Sequence, residues 1–240
     1  MPYRISARML GKLAMPDFCP RCFWIEMRSD KFPFALPMPG IFSSIDAYGK
    51  NVVHSFFDRN ESLPSWFPNI GRVAGYVRGL HHSTFNFTDG SNAITLTGVP
   101  DDIFEMEDGS YVIVDYKTAR LTERQDALLP LYEVQLNAYA YVARHTGLAP
   151  ITSLFLIYME PQTGAETWEQ SASGHHFSMR FSATPKHVEL RSEGYIDSLL
   201  NEAREILESP YPNSRIRCQN CTILQSFMDI VRKSGESKPF

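Results

Sequence analysis

Apolar residues along the chain follow two rhythms, one of three to four residues and one of two, and these divide it into helices and strands. Ile45, Tyr48, Val52, Val53, Phe56 and Phe57 recur at helical spacing, which predicts a helix opening after Ser43 or Ser44 as its cap. Asn92–Thr97 and Tyr111–Val114 are rich in β-branched and aromatic residues, and Glu107-Asp108-Gly109 separates two extended segments in the manner of a hairpin. Glu133–His145 is alanine- and tyrosine-rich and stops at Gly147, the pattern of a helix with a glycine C-terminus. Ile151–Met159 reads as a buried strand, and Pro161–Gly164 turns it into a further extended segment running toward Phe181. Pro185 then opens a long helix to about Leu207, which Pro210, Pro212 and Asn213 terminate. The proline-punctuated stretch from Lys31 to Gly40 cannot be helical and reads as a connecting loop, while Ala119–Pro130 reads as a loop over a substrate groove. Residues 60–91 give no clear pattern. The order of elements is α/β, with a mixed central β-sheet flanked by helices.

Composition narrows this picture. At 240 residues with 43% hydrophobic and 21% charged positions, the chain fits one domain with a sizeable core. The expected division is a core over 43–182, with 1–42 and 183–240 forming a cap. The longest apolar run, Leu154–Met159, is far short of the roughly 20 residues that a membrane helix needs. No membrane association and a cytoplasmic location are the expectation, and Arg4, Arg8 and Lys12 near the start are read as part of the fold rather than as a transit signal. A net charge of -4 excludes a generally basic nucleic-acid binder. Contact with phosphates would need metal ions or local basic surface, for which Lys117, Arg120 and Arg124, and Arg215, Arg217, Arg232 and Lys233, are candidates.

Two groups of residues carry candidate chemistry. If the hairpin turns near Asp108, Asp101 falls opposite Asp115 to within about one residue, and opposed side chains in an antiparallel pair stand roughly 5 Å apart. Two carboxylates so close require a bound cation or a raised pKa on one of them. Lys117, two residues after Asp115, shares its face by strand periodicity, so two acids and an ammonium converge at the end of a buried strand. Gln135 and Tyr139 lie four apart on one helix face, and His54 lies beside the apolar stripe of its own helix. The second group is Cys19, Cys22, Cys218 and Cys221, two C-x-x-C pairs that use every cysteine in the chain. That spacing lets two thiolates of a pair reach one metal, and four would staple the two ends of the fold together. Thiolate sets of this kind suit zinc or iron-sulfur.

Pro100-Asp101 followed by Asp115-Tyr116-Lys117 resembles the signature of the PD-(D/E)XK nucleases. Gly49-x4-His54 upstream, Gly98-x-x-Asp101, and Gln135-x-x-x-Tyr139 downstream are similar to its RecB-like branch, in the same order. The resemblance implies a restriction-endonuclease-like core and a magnesium- or manganese-dependent deoxyribonuclease, an exonuclease in the first instance. His54, Asp101, Asp115 and the Tyr116 carbonyl would ligate the metal, Lys117 would serve catalysis, and Gln135 and Tyr139 would hold Lys117 and contact DNA. It implies DNA that is single-stranded or has free ends as substrate, with a helicase or a CRISPR integrase as partner. CRISPR-associated adaptation exonucleases and AddB-type nucleases of this branch hold a [4Fe-4S] cluster on four cysteines, which makes that cluster the first expectation here and structural zinc the alternative. Those relatives place one cysteine before the nuclease motifs and three after, whereas this chain divides them two and two. A structure-specific endonuclease and a non-catalytic DNA-binding module are the alternative readings.

Overall fold

The computed structural model describes residues 3–29, 40–91, 93–120, 127–168, 172–173 and 176–235. Most of the stretch expected as a proline-rich loop, the centre of the expected loop over the groove, Asn92 and Arg124 lie outside these residues. Among the described residues, ten strands form two mixed sheets and a small hairpin. The larger sheet has the order β10 (Phe181–Val188), β7 (Ile151–Pro161), β6 (Tyr111–Lys117), β5 (Asp102–Met106), β2 (Val73–Tyr76). Its β6–β7 pair is parallel and its other pairs are antiparallel. The second sheet sets β4 (Ile94–Thr97) between β1 (Tyr3–Ser6), parallel to it, and β3 (Asn86–Asp89), antiparallel. Ala172–Ser173 (β8) and His176–Phe177 (β9) make the hairpin. The α/β class with mixed sheets and flanking helices is therefore the observed one.

Alternation along β5 and β6 sorts the core onto two faces. Ile103 and Ile113 point to one side, where they pack with α1 (Ala7–Gly11), α4 (Leu129–His145) and α6 (Glu193–Glu208). Phe104, Val112, Val114 and Tyr116 point to the other, against Val53 of α3 (Gly40–Asn60) and Phe67. The remaining helices are α2 (Pro20–Glu26), α5 (Ala165–Trp168) and α7 (Gln219–Gly235). Residues 3–14, grouped with the cap in the sequence reading, supply β1 and pack α1 on α4.

Four expectations are corrected. Residues 94–97 are not the first arm of the hairpin, because Gly98 in a positive-φ conformation and Pro100, which has no N–H to give, end that strand. β5 is the arm, and β4 belongs to the other sheet. Pro185 does not open a helix. It lies within β10, an edge strand where a missing donor is tolerated, and the helix starts at Glu193. The third helix begins at Gly40 rather than after Ser43 or Ser44. The helix expected from Glu133 begins at Leu129, with Pro130 in its first turn where its fixed φ suits a helix start.

Candidate functional site

The β5–β6 ladder begins at Asp102 opposite Val114, so one step further Asp101 faces Asp115. Asp101 Oδ2 accepts the backbone N–H of Tyr116 at 2.7 Å, which ties the residue before β5 to the end of β6. Asp115 is 4% exposed and points to the α4 side. Lys117 Nζ stands 2.5 Å from its Oδ2 and 4.2 Å from the centroid of the Tyr132 ring. Gln135 Nε2 donates to Tyr139 Oη at 2.7 Å and reaches Asp115 Oδ1 at 3.5 Å. Tyr139 in turn packs on Gly98, where an added Cβ would meet its ring carbon at 3.0 Å.

From the other side α3 presents Asp46, Lys50 and His54, four residues apart and so on one face. Lys50 Nζ lies 2.5 Å from Asp101 Oδ1 and 3.1 Å from Asp46 Oδ2. His54 Nε2 lies 2.6 Å from Asp102 Oδ1, the ring stacks on Tyr76 at 4.1 Å between centroids, and Tyr116 Oη donates to Asp102 Oδ2 at 2.7 Å.

Of the residues singled out in the sequence, Asp101, Asp115, Tyr116, Lys117, Gln135 and Tyr139 come together. His54 is engaged with Asp102 rather than with Asp101 or Asp115. Gln135 reaches Asp115 and is bonded to Tyr139, while the ring over the Lys117 ammonium is Tyr132. Lys50, Asp46, Tyr132 and Asp102 were not singled out. The signal for the first two was the four-residue spacing with His54, and for Tyr132 its position three residues before Gln135 on the same helix face.

The electrostatics of this cluster follow from burial. Desolvation pushes the Asp101 carboxyl up, the Asp115 charge pushes it further, and the Lys50 ammonium only partly offsets them, leaving it at about 7. Burial likewise raises Asp115 despite the adjoining Lys117. For Lys50, burial works against the charge, but Asp101 and Asp46 outweigh it and its pKa is raised. Among the described residues, Gln135 Oε1 is buried with no hydrogen-bond partner, and the buried Asp115 Oδ2 is met by the Lys117 ammonium. Under-compensated, oxygen-only donors of this kind fit a hard divalent cation such as magnesium or manganese.

The cysteines form a second centre at the far ends of the chain. Cys19 and Cys218 immediately precede α2 and α7, and Cys22 and Cys221 lie in the first turns. Sγ separations are 3.7 Å for Cys19–Cys221 and 3.5 Å for both Cys22–Cys218 and Cys22–Cys221, and all four sulfurs lie within 4.8 Å of one another. Four thiolates on one tetrahedral ion with bonds of about 2.3 Å would stand about 3.8 Å apart, so the set fits a single ion. Burial raises the Cys19 thiol, but the N–H groups of Arg215 and Cys22 and the neighbouring thiols outweigh it and bring it down to about 7. Burial and the neighbouring thiols hold Cys22 up, and burial is the largest influence on Cys221, which stands at about 11.

The model of the PD-(D/E)XK nuclease superfamily matches residues 61–225, more than half of the chain. No curated protein matches it. Among solved structures, the crystal structure of SSO0001 is similar with a TM-score of 0.41 and 14% identity, over 87% of this chain and 78% of that one.

Proposed function

The chain belongs to the PD-(D/E)XK nuclease superfamily, and on that basis we propose that residues 1–240 form one nuclease domain of the RecB-like branch, a cytoplasmic deoxyribonuclease acting as an exonuclease with magnesium or manganese. The observation that carries the reading is the pairing of half-buried Asp101 with buried Asp115, with Lys117 Nζ 2.5 Å from the second acid. Asp101, Asp115 and the Tyr116 carbonyl would hold the cation, which supplies Lewis-acid polarisation of the scissile phosphate and a more acidic water. His54, whose Nε2 is engaged by Asp102, would have Nδ1 left to offer the same cation, with Asp102 as the carboxylate behind a ligating histidine. Lys117 would orient the attacking water and donate to charge developing on the phosphate. Lys50, held between Asp101 and Asp46, would support the same phosphate from α3, and Gln135, bonded to Tyr139, would steady the carboxylate of Asp115.

For the cysteine centre the sulfur spacing favours one zinc ion over the [4Fe-4S] cluster of the iron-sulfur relatives. A cubane puts each thiolate on a different iron, which demands wider separations than those of a set that lies within 4.8 Å, with three of its pairs at 3.5–3.7 Å. Its role is to fasten α2 to α7.

The nuclease reading is tested with end-labelled DNA, magnesium and manganese, comparing the native protein with Asp115→Ala. Cleavage should require the metal and be lost in the variant, and equal activity of the two proteins would overturn the assignment.

A further inference from the structure

By resemblance Gln135 and Tyr139 would hold Lys117, but their side chains serve the neighbouring acid. Gln135 Nε2 donates to Tyr139 Oη at 2.7 Å and reaches Asp115 Oδ1 at 3.5 Å. Among the described residues the Lys117 ammonium has two other partners, Asp115 Oδ2 at 2.5 Å and the ring of Tyr132, whose centroid is 4.2 Å away. The lysine side chain is 14% exposed, so little water competes for its charge, and the attraction of a cation to an aromatic face grows as water is removed.

Packing fixes the ring. Tyr132 lies at the start of α4, where its N–H donates to the Leu128 carbonyl at 3.2 Å, and it is buried in the main core with Leu131 and Val134. Asp115 is the less constant partner. In the nuclease reading its carboxylate is shared with the cation, and a carboxylate shared in that way attracts an ammonium less. A second carboxylate beside Lys117 would make good that loss but would repel the substrate phosphate. An uncharged aromatic face holds the ammonium without adding negative charge to the site.

We propose that Tyr132 is the positioning residue of Lys117, the face of its ring keeping the ammonium beside the acid pair when Asp115 is given over to the cation. This rests on the nuclease reading of Asp101, Asp115 and Lys117. A lysine carries its charge on a flexible four-carbon stem, and an ammonium free to wander loses the prearranged geometry on which stabilisation of a transition state depends. Tyr132 restricts that freedom through the ring face, so a phenylalanine serves the same purpose and an aliphatic side chain does not.

The test compares cleavage of end-labelled DNA with manganese by the native protein, Tyr132→Phe and Tyr132→Leu, the last keeping an apolar, helix-favouring side chain but no ring. A desolvated cation–π contact amounts to about 2 kcal/mol, which at about 1.4 kcal/mol for each factor of ten is about thirtyfold. In Tyr132→Leu kcat should fall by about that factor with KM little changed, because the ammonium acts on the transition state rather than on binding. Tyr132→Phe should restore most of kcat. Melting of chelator-treated protein supplies a readout apart from activity. Manganese should raise the melting temperature of Tyr132→Leu as much as that of the native protein, since the metal ligands are untouched, and Tyr132→Leu should cost less stability in a Lys117→Met background than in the native one. Native kcat in Tyr132→Leu, a Tyr132→Phe as impaired as Tyr132→Leu, manganese stabilisation lost in step with kcat, or the same cost with and without the lysine overturns the positioning role while leaving the nuclease reading in place. No metal-dependent cleavage by the native protein removes both.

Discussion

Gly98 and Asp101 show how far single residues carry the site. Gly98 adopts φ +133, a region that a side chain strains, and Tyr139 and Ala7 crowd the place a Cβ would take. Gly98→Ala should cost about 1–3 kcal/mol in urea melts and lower DNA cleavage by displacing Tyr139; a variant of native stability and activity would refute this account of the glycine. Asp101 couples the site to pH. Unfolded, the carboxyl ionises near 4, whereas in the fold it keeps its proton to about 7, so unfolding releases a proton within that window. The stability of chelator-treated protein should therefore fall as pH rises from about 4 to 7, and Asp101→Asn should flatten that slope. Metal affinity should move the other way, rising through the same window as the proton is displaced. Parallel stability slopes in the two proteins would contradict a raised Asp101 carboxyl beside Asp115. The acids and the lysine could be recognised in the sequence because their two-residue spacing on a strand fixes one shared face. The shift of Asp101 could not, since it depends on how much water the fold removes.

At the scale of elements, α3 decides what reaches the acids. Asp46, Lys50 and His54 share one face by helical spacing, but only packing against β5 determines which acid each one meets. His54→Ala should weaken cleavage more at low than at high metal concentration, because affinity for the cation is damaged rather than the chemistry. A lower melting temperature with unchanged metal dependence would make His54 a structural partner of Asp102. Lys50→Met should leave Asp101 without its ammonium and raise its pKa further, moving the rise in metal affinity to higher pH; an unmoved profile would show that Lys50 is not the counter-charge. The sheet holds a parallel lesson. β10 tolerates Pro185 because it is an edge strand, and which strand lies at an edge is decided by pairing over long sequence separations. The local signal at Pro185, a helix start, was reasonable and lost to that pairing.

For the whole molecule, the four cysteines close nearly the full length of the chain, so their loss should be felt globally. Cys22→Ser should lower the melting temperature of the domain and release metal, and anaerobically purified native protein should be colourless with about one equivalent of zinc by elemental analysis. A brown preparation with broad absorbance would identify a cluster and refute the single-ion reading. By itself the sequence determined the α/β class, the two chemical groups and their likeness to nucleases, because strand period, helix period and the C-x-x-C spacing are local relations between neighbouring residues. It did not determine that β4 leaves the hairpin for a second sheet beside β1, that Tyr132 rather than Gln135 covers the lysine, that Lys50 reaches Asp101, or that the four sulfurs close to within one tetrahedron. Those were decided by tertiary structure, since each depends on how separate elements dock, and docking is set by the summed burial of faces across the whole chain rather than by any short stretch of it.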